Sequence, residues 1–259
     1  MRAILTYHSI DDSGSPISVS PAAFDRHVRW FTSGRVRVVS IDQLLTLPDD
    51  QDDAVTLTFD DGFQNARPAM EALLAEGLPL TLFVVSRHVG GANEWGGQPQ
   101  SGIPSLPLLT WSDLEALARR GAVIGSHTRT HRKLTTLSGD AMDDELEGSV
   151  EDLRSALGLE VAHFAYPYGD VNVQAAARAA TAYRTASTTD FRPLSAGEPL
   201  SRLPRLDMYY FRSGPLDDFG TGAFRRRAAW IGLRRQLRSR LVRERVPAPA
   251  PGSLEGSGQ

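Results

Sequence analysis

From residue 2 to residue 169, short apolar runs alternate with segments whose apolar residues recur at helical spacing. The runs RAILTYHS (2–9), RVRVVS (35–40), AVTLTFD (54–60), LTLFVVS (80–86), AVIGSH (122–127) and AHFAYPYG (162–169) are β-branched or continuously apolar. Turn residues bound them, which is the pattern of buried strands. Between them, 20–34 opens with Ser20 as N-cap and Pro21 at the first helical position, and closes on Gly34. Helices over 66–77 and 111–121 end on glycine, and the longest, 138–158, aligns Leu146, Val150, Leu153 and Leu157 on one face. Strands of this kind alternating with helices predict an α/β fold, a parallel sheet or barrel covered by helices. The segment 88–107, rich in Gly, Asn and Pro, predicts a long loop of the sort that often carries function. There is no internal repeat.

A length of 259 residues suits one such domain, and 41% hydrophobic with 23% charged residues reads as soluble and globular. The absence of cysteine removes disulfides and thiolate metal ligands. The opening MRAILTYHSI is too short and too polar for a signal peptide, so a cytoplasmic protein is expected unless a leader has been trimmed. The net charge of −3 divides unevenly, because residues 224–246 hold nine arginines and one glutamate and leave an acidic body. A helix over 224–241 aligns Trp230, Leu233, Leu237 and Leu241 in a stripe flanked by arginines. Such a helix can lie on an anionic membrane, here the inner face, or dock on the protein's own acidic surface; a nucleic-acid contact is not expected. Residues 247–259, PAPAPGSLEGSGQ, are expected to be disordered.

The strand 54–60 ends in two adjacent carboxylates, Asp60 and Asp61, followed by Gly62. In a regular strand they point to opposite faces, but a turn at Gly62 lets both converge on the carboxyl end of the sheet, where ligands bind. A cation would offset their repulsion. SHTRTH places His127 and His131 four apart, on one face of a helical turn, where two imidazoles grip one divalent ion and a carboxylate completes the set. Two exposed histidines opening a helix would give the same spacing by coincidence. In FAYPYGD (164–170), Pro167 and Gly169 fix a tight turn able to aim the Tyr168 N–H at a developing oxyanion. An ordinary loop with a packed tyrosine is the competing reading.

In this order at successive strand ends, TFDDG, HTRTH and YPYG resemble the polysaccharide deacetylase family, the NodB-homology carbohydrate esterases, over roughly residues 1–212. The resemblance implies a distorted (β/α) barrel, a single catalytic domain over 1–212, with the basic segment 213–246 and the tail 247–259 outside it. It implies metal-dependent removal of acetyl groups from N-acetylated sugars or glycans. Asp61, His127 and His131 would be the ligands, of zinc first and of nickel, cobalt or manganese as substitutes, with Asp60 as general base. Many members supply the general acid from a histidine near the C-terminal end of the domain, but this chain has none after His163. His8, ending the first strand, resembles instead the acid of the permuted branch typified by poly-β-1,6-N-acetylglucosamine deacetylases. A lone histidine beside a tyrosine is also a common structural feature.

Many relatives also carry an arginine shortly before the PYG turn that orients the base, and HFAYPYG offers none. RLPRLDMYY contains Arg202, Arg205 and Asp207, and Arg205 could approach Asp60 and keep it ionised, unless it is a surface arginine. Asn93 and Trp95, in the long loop, can meet a sugar face, with an ordinary packed tryptophan as the rival. His27, His88 and His163 are expected to be structural. A related amide hydrolase with a non-sugar substrate and a noncatalytic glycan-binding module stand as alternatives, although binding alone has no need of a base.

Overall fold

The computed structural model describes residues 1–48, 53–98, 102–214 and 216–245. Its strands are β1 (Arg2–Tyr7), β2 (Ser9–Ile10), β3 (Ser18–Val19), β4 (Arg37–Val38), β5 (Ala54–Phe59), β6 (Leu80–Val84), β7 (Val123–Ser126), β8 (His163–Ala165), β9 (Thr185–Ser187) and β10 (Leu206–Asp207). Eight of them form one parallel sheet in the order β10-β1-β5-β6-β7-β8-β9, with β4 beside the start of β5. β5 and β6 are buried at every position, Thr56, Thr58 and Thr81 included, as befits strands of a sheet covered on both faces. The sheet curls until its edges meet. Leu203 bridges Ser187 of β9, and Leu206 pairs with Leu5 of β1, so the short segment 203–207 joins the two edges. The result is the expected distorted (β/α) barrel, in a single domain.

Helices α1 (Pro21–Phe31), α2 (Ile41–Thr46), α3 (Arg67–Ala75), α4 (Trp111–Arg119), α5 (Gly139–Leu157), α6 (Val173–Ala182) and α7 (Gly222–Arg245) accompany the strands. The Ser20 hydroxyl caps α1 by accepting the Ala23 N–H, and Thr110 and Asp113 form a capping box on α4. Gly158, left-handed at φ 68°, ends α5. The sequence pattern had not marked α2 or α6. α2 is only six residues, and α6 buries Ala175, Ala176 and Ala179, too small to make an apolar stripe visible in the sequence.

Core packing continues past residue 212. Phe224 and Ala228 of α7 are buried, with the Phe224 ring 5.2 Å from Phe211 and 5.0 Å from Phe219. Arg227 reaches Asp218 at 2.8 Å. Trp230, Leu233 and Leu237 lie on the exposed side. Leu241, expected in the same stripe, and the tail 247–259 lie outside the described side chains and residues, respectively. Phe224→Ala is therefore expected to lower the unfolding free energy by about 3–5 kcal/mol in urea titrations. Leu233→Ala should change it by less than about 0.5 kcal/mol. Equally small effects would mean that α7 is undocked in solution.

Candidate functional site

β5 delivers both aspartates to the C-terminal end of the sheet. The Asp60 N–H still donates to Tyr7 O of β1 at 2.9 Å, and then the strand breaks. Asp61 turns left-handed (φ 69°), Gly62 follows at φ 83°, and the Gly62 N–H closes back on Asp60 O at 2.9 Å. The reversal brings the two carboxylates to one cavity of about 130 Å³, which His8, His127, His131, Tyr166, Tyr168 and Arg205 also line.

Asp60 and Arg205 are both buried, and they meet fork to fork. Nη1 and Nη2 donate to Oδ1 and Oδ2 at 2.7 and 2.8 Å, while Nε donates to Thr188 O at 3.0 Å. Burial pushes the Asp60 carboxyl up. The Arg205 guanidinium, then the His127 and His8 imidazoles, outweigh it and hold the group below the usual carboxylate range. Arg205 is thus no surface residue. His8 Nε2 lies 3.7 Å from Asp60 Oδ2, too long for a hydrogen bond, at the half-open side of the cavity.

Asp61 faces the two histidines. His127 Nδ1–H donates to Ala165 O at 2.7 Å, and burial pushes its imidazolium down to about 4 against the pull of Asp60 and Asp61. At neutral pH the ring is therefore uncharged and Nε2 carries a bare lone pair, 3.4 Å from Asp61 Oδ1. His131 Nε2 is 3.3 Å from the same oxygen. Among the described residues, Asp61 Oδ1 has no hydrogen-bond partner although it is buried. A carboxylate oxygen facing an imidazole lone pair is repulsive until a cation lies between them. Two nitrogens and a carboxylate oxygen, with one ring already oriented by a backbone carbonyl, are the donor set that zinc and its neighbours accept.

The histidine pair does not lie on a helix, contrary to the spacing argument. Residues 127–133 form an irregular turn with Thr128 (φ 68°) and His131 (φ 61°) both left-handed, and Thr128 Oγ1 accepts the His131 N–H at 2.9 Å. The chain folds back, and that brings the rings together. α5 holds the turn in place. Buried Glu145 accepts the Thr130 N–H at 2.8 Å and the Thr130 hydroxyl as well. Arg129 lies over Gly148, where a Cβ would collide with its guanidinium, and bonds Asp152 at 3.0 and 2.7 Å. The apolar stripe of 138–158 gives no sign of these acidic contacts. Glu145, beside Leu146 and three residues from Met142, is the one signal the sequence offers.

Tyr168, left-handed at φ 60°, sits half-exposed at the rim with its ring edge-on to His131 at 4.6 Å. Trp95 stacks on His131 at 4.5 Å and touches His88 at 4.8 Å, so one face of its indole is already covered. Asn93 lines the cavity, but its carbonyl accepts the Leu106 N–H at 2.7 Å and its amide donates to Pro104 O at 3.1 Å. Both ends of that side chain hold the long loop, each through one hydrogen bond. His27 (2.9 Å from Tyr7 Oη) and His163 (2.8 Å from Thr185 Oγ1) are bonded elsewhere in the core.

The model of the family described as polysaccharide deacetylase matches residues 48–186. The Bacillus subtilis (strain 168) protein YxkH is 26% identical over 209 residues, covering 78% of this chain and 70% of that one. Among solved structures, BC0361, a polysaccharide deacetylase from Bacillus cereus, aligns with a TM-score of 0.68 at 22% identity, covering 84% of this chain and 67% of that one. IcaB from Ammonifex degensii aligns with a TM-score of 0.66 at 22% identity, covering 89% and 97%. At these identities the structural likenesses establish a shared fold.

Zinc titrated into the chain in a calorimeter is expected to bind one to one. Asp61→Ala, His127→Ala and His131→Ala should each weaken binding by roughly 100-fold or more, while Asp60→Asn stays within a few-fold of wild type. Loss of binding in Asp60→Asn with retention in Asp61→Ala would reverse the two roles.

Proposed function

The chain belongs to the polysaccharide deacetylase family, and from that premise we propose that it is a metal-dependent hydrolase removing N-acetyl groups from an amino-sugar-containing glycan or lipid-linked sugar. The family deacetylates glycans, cleaving a C–N bond. The division between adjacent aspartates, Asp60 on Arg205 and Asp61 on the two histidines, supports this chemistry.

Zinc, or nickel, cobalt or manganese in its place, held by Asp61, His127 and His131, would polarise the acetyl carbonyl and acidify the attacking water. Asp60, ionised and locked by two charge-assisted bonds, accepts that water's proton as the C–O bond forms. The developing oxyanion meets the N–H of Tyr168, presented by the left-handed turn at PYG. His8, on the other side of Asp60, donates a proton to the nitrogen as the C–N bond breaks, so the products are acetate and a free amine. Arg205 is a positioning residue: it touches the base and not the substrate. Trp95 covers His131, and Asn93 keeps the loop that carries Trp95 in register.

Acetate should be released from a panel of N-acetylated oligosaccharides and abolished by chelator; release from non-sugar amides alone would exclude the glycan. Asp60→Asn and His8→Ala should each lower kcat by roughly 10²- to 10⁴-fold without emptying the metal site. A His8→Ala enzyme with near-normal kcat would return that histidine to a packing role. In Arg205→Gln the guanidinium no longer opposes burial, so the pKa of Asp60 rises and the base is protonated at pH values where the wild type works. The acid limb of kcat/KM should therefore move to higher pH. An unmoved limb would separate Arg205 from the ionisation of the base.

A further inference from the structure

The two faces of α7 meet different surroundings. Phe224, Ala228, Ile231 and Gly232 turn toward the domain, and a Cβ at Gly232 would come within 2.9 Å of Phe191 O. Arg235 stays on that side, 3.5 Å from Asp207 and over the Tyr210 ring at 5.0 Å. The helix is therefore fixed to the body, and its outer face cannot turn inward. That outer face carries Trp230, Leu233 and Leu237 at helical spacing, 57%, 55% and 50% exposed. Arg225, Arg226 and Arg234 are exposed beside them, with the Arg234 guanidinium 4.5 Å from the Trp230 ring. The sequence adds Arg238, Arg240, Arg243 and Arg245.

We propose that this outer face of α7 docks on an anionic lipid bilayer. A row of large apolar side chains on a helix that is already docked marks an interaction surface. A nucleic acid would pair with the arginines and leave the leucines in water. A second copy would set one arginine-rich helix against another, at like charge. A bilayer takes both kinds of side chain. Trp230, Leu233 and Leu237 enter the headgroup region, the arginines face lipid phosphates, and the acidic remainder of the chain turns outward. The same helix also borders the site: Gly232 and Arg235 line a groove of about 480 Å³ that shares Tyr168 and Thr189 with the catalytic cavity. That groove lies roughly one helix diameter, about 10–12 Å, from the lipid. On the deacetylase reading, which this consequence rests on, a glycan entering along it comes from the membrane surface.

The full chain is co-sedimented with phosphatidylcholine vesicles with and without phosphatidylglycerol, beside two triple variants. One is Trp230→Ser with Leu233→Ser and Leu237→Ser; the other is Arg225→Gln with Arg226→Gln and Arg234→Gln. Acetate release from a soluble N-acetylated oligosaccharide and circular dichroism are measured in parallel, and both variants should keep wild-type values. Wild type should bind the anionic vesicles at least roughly tenfold more tightly than the neutral ones, more weakly as salt rises, and each variant should lose roughly tenfold or more. No wild-type binding at low salt, or a serine variant that binds like wild type, overturns the proposal. So does a wild-type dimer, seen by light scattering, that the serine variant dissolves. A chain that binds vesicles and releases no acetate defeats only the deacetylase reading, and one that releases acetate but ignores vesicles defeats only the docking.

Discussion

Two ionised carboxylates, adjacent in sequence and buried at one cavity, cannot share a single counter-charge, and this constraint organises the site. Asp60 faces a guanidinium; Asp61 faces two imidazoles. Arg205 is 145 residues away in sequence. It reaches Asp60 because the segment 203–207 joins β9 to β1 and carries Arg205 along the seam. Closure of the barrel and ionisation of Asp60 are therefore linked events: a sheet left open at that seam would hold an uncompensated buried aspartate.

The backbone around this pair is strained. The non-glycine residues with left-handed backbones among the described residues are Asp61, Thr128, His131 and Tyr168, and all four belong to the site or the turns that build it. Each such residue costs about 1–2 kcal/mol, which the surrounding structure has to offset. Here the offset is visible. Gly62 and its bond to Asp60 O sustain the first reversal, Glu145 and Arg129 brace the histidine turn against α5, and Thr189 backs the PYG turn through a bond to Tyr168 O. Rings then join the turns, with His131 between Trp95 and Tyr168. A side chain that moved at one turn would be felt at the other two.

The barrel and the residues that line its mouth were legible because both depend on local signals. Continuous apolar runs bounded by glycine and proline give buried strands, and a polar motif at the end of such a run has only one end of the sheet to occupy. What escaped depended on contacts distant in sequence or on backbone conformations rare for the residue type. The spacing of His127 and His131 suits a helix equally well, and nothing in HTRTH announces that Thr128 and His131 adopt positive φ. The hydrogen bonds of Asn93 go to Pro104 and Leu106, which only the folded loop reveals. RLPRLDMYY only allows Arg205 to approach Asp60; the bidentate bond follows from the barrel seam. The arginines of 224–246 hid that Phe224 and Ala228 belong to the core, since a stripe of exposed apolar residues and a docked face can alternate on one helix.

Asp61, and not Asp60, is expected to join the two histidines around one cation. Anomalous diffraction at the zinc edge, from crystals of the wild-type chain grown with zinc, decides between the two aspartates. A single strong peak should lie about 2.0–2.2 Å from an Asp61 carboxylate oxygen and from the Nε2 atoms of His127 and His131, with Asp60 still paired to Arg205. A peak ligated by Asp60, or no peak in this cavity beside a well-ordered pair of histidines, would contradict it.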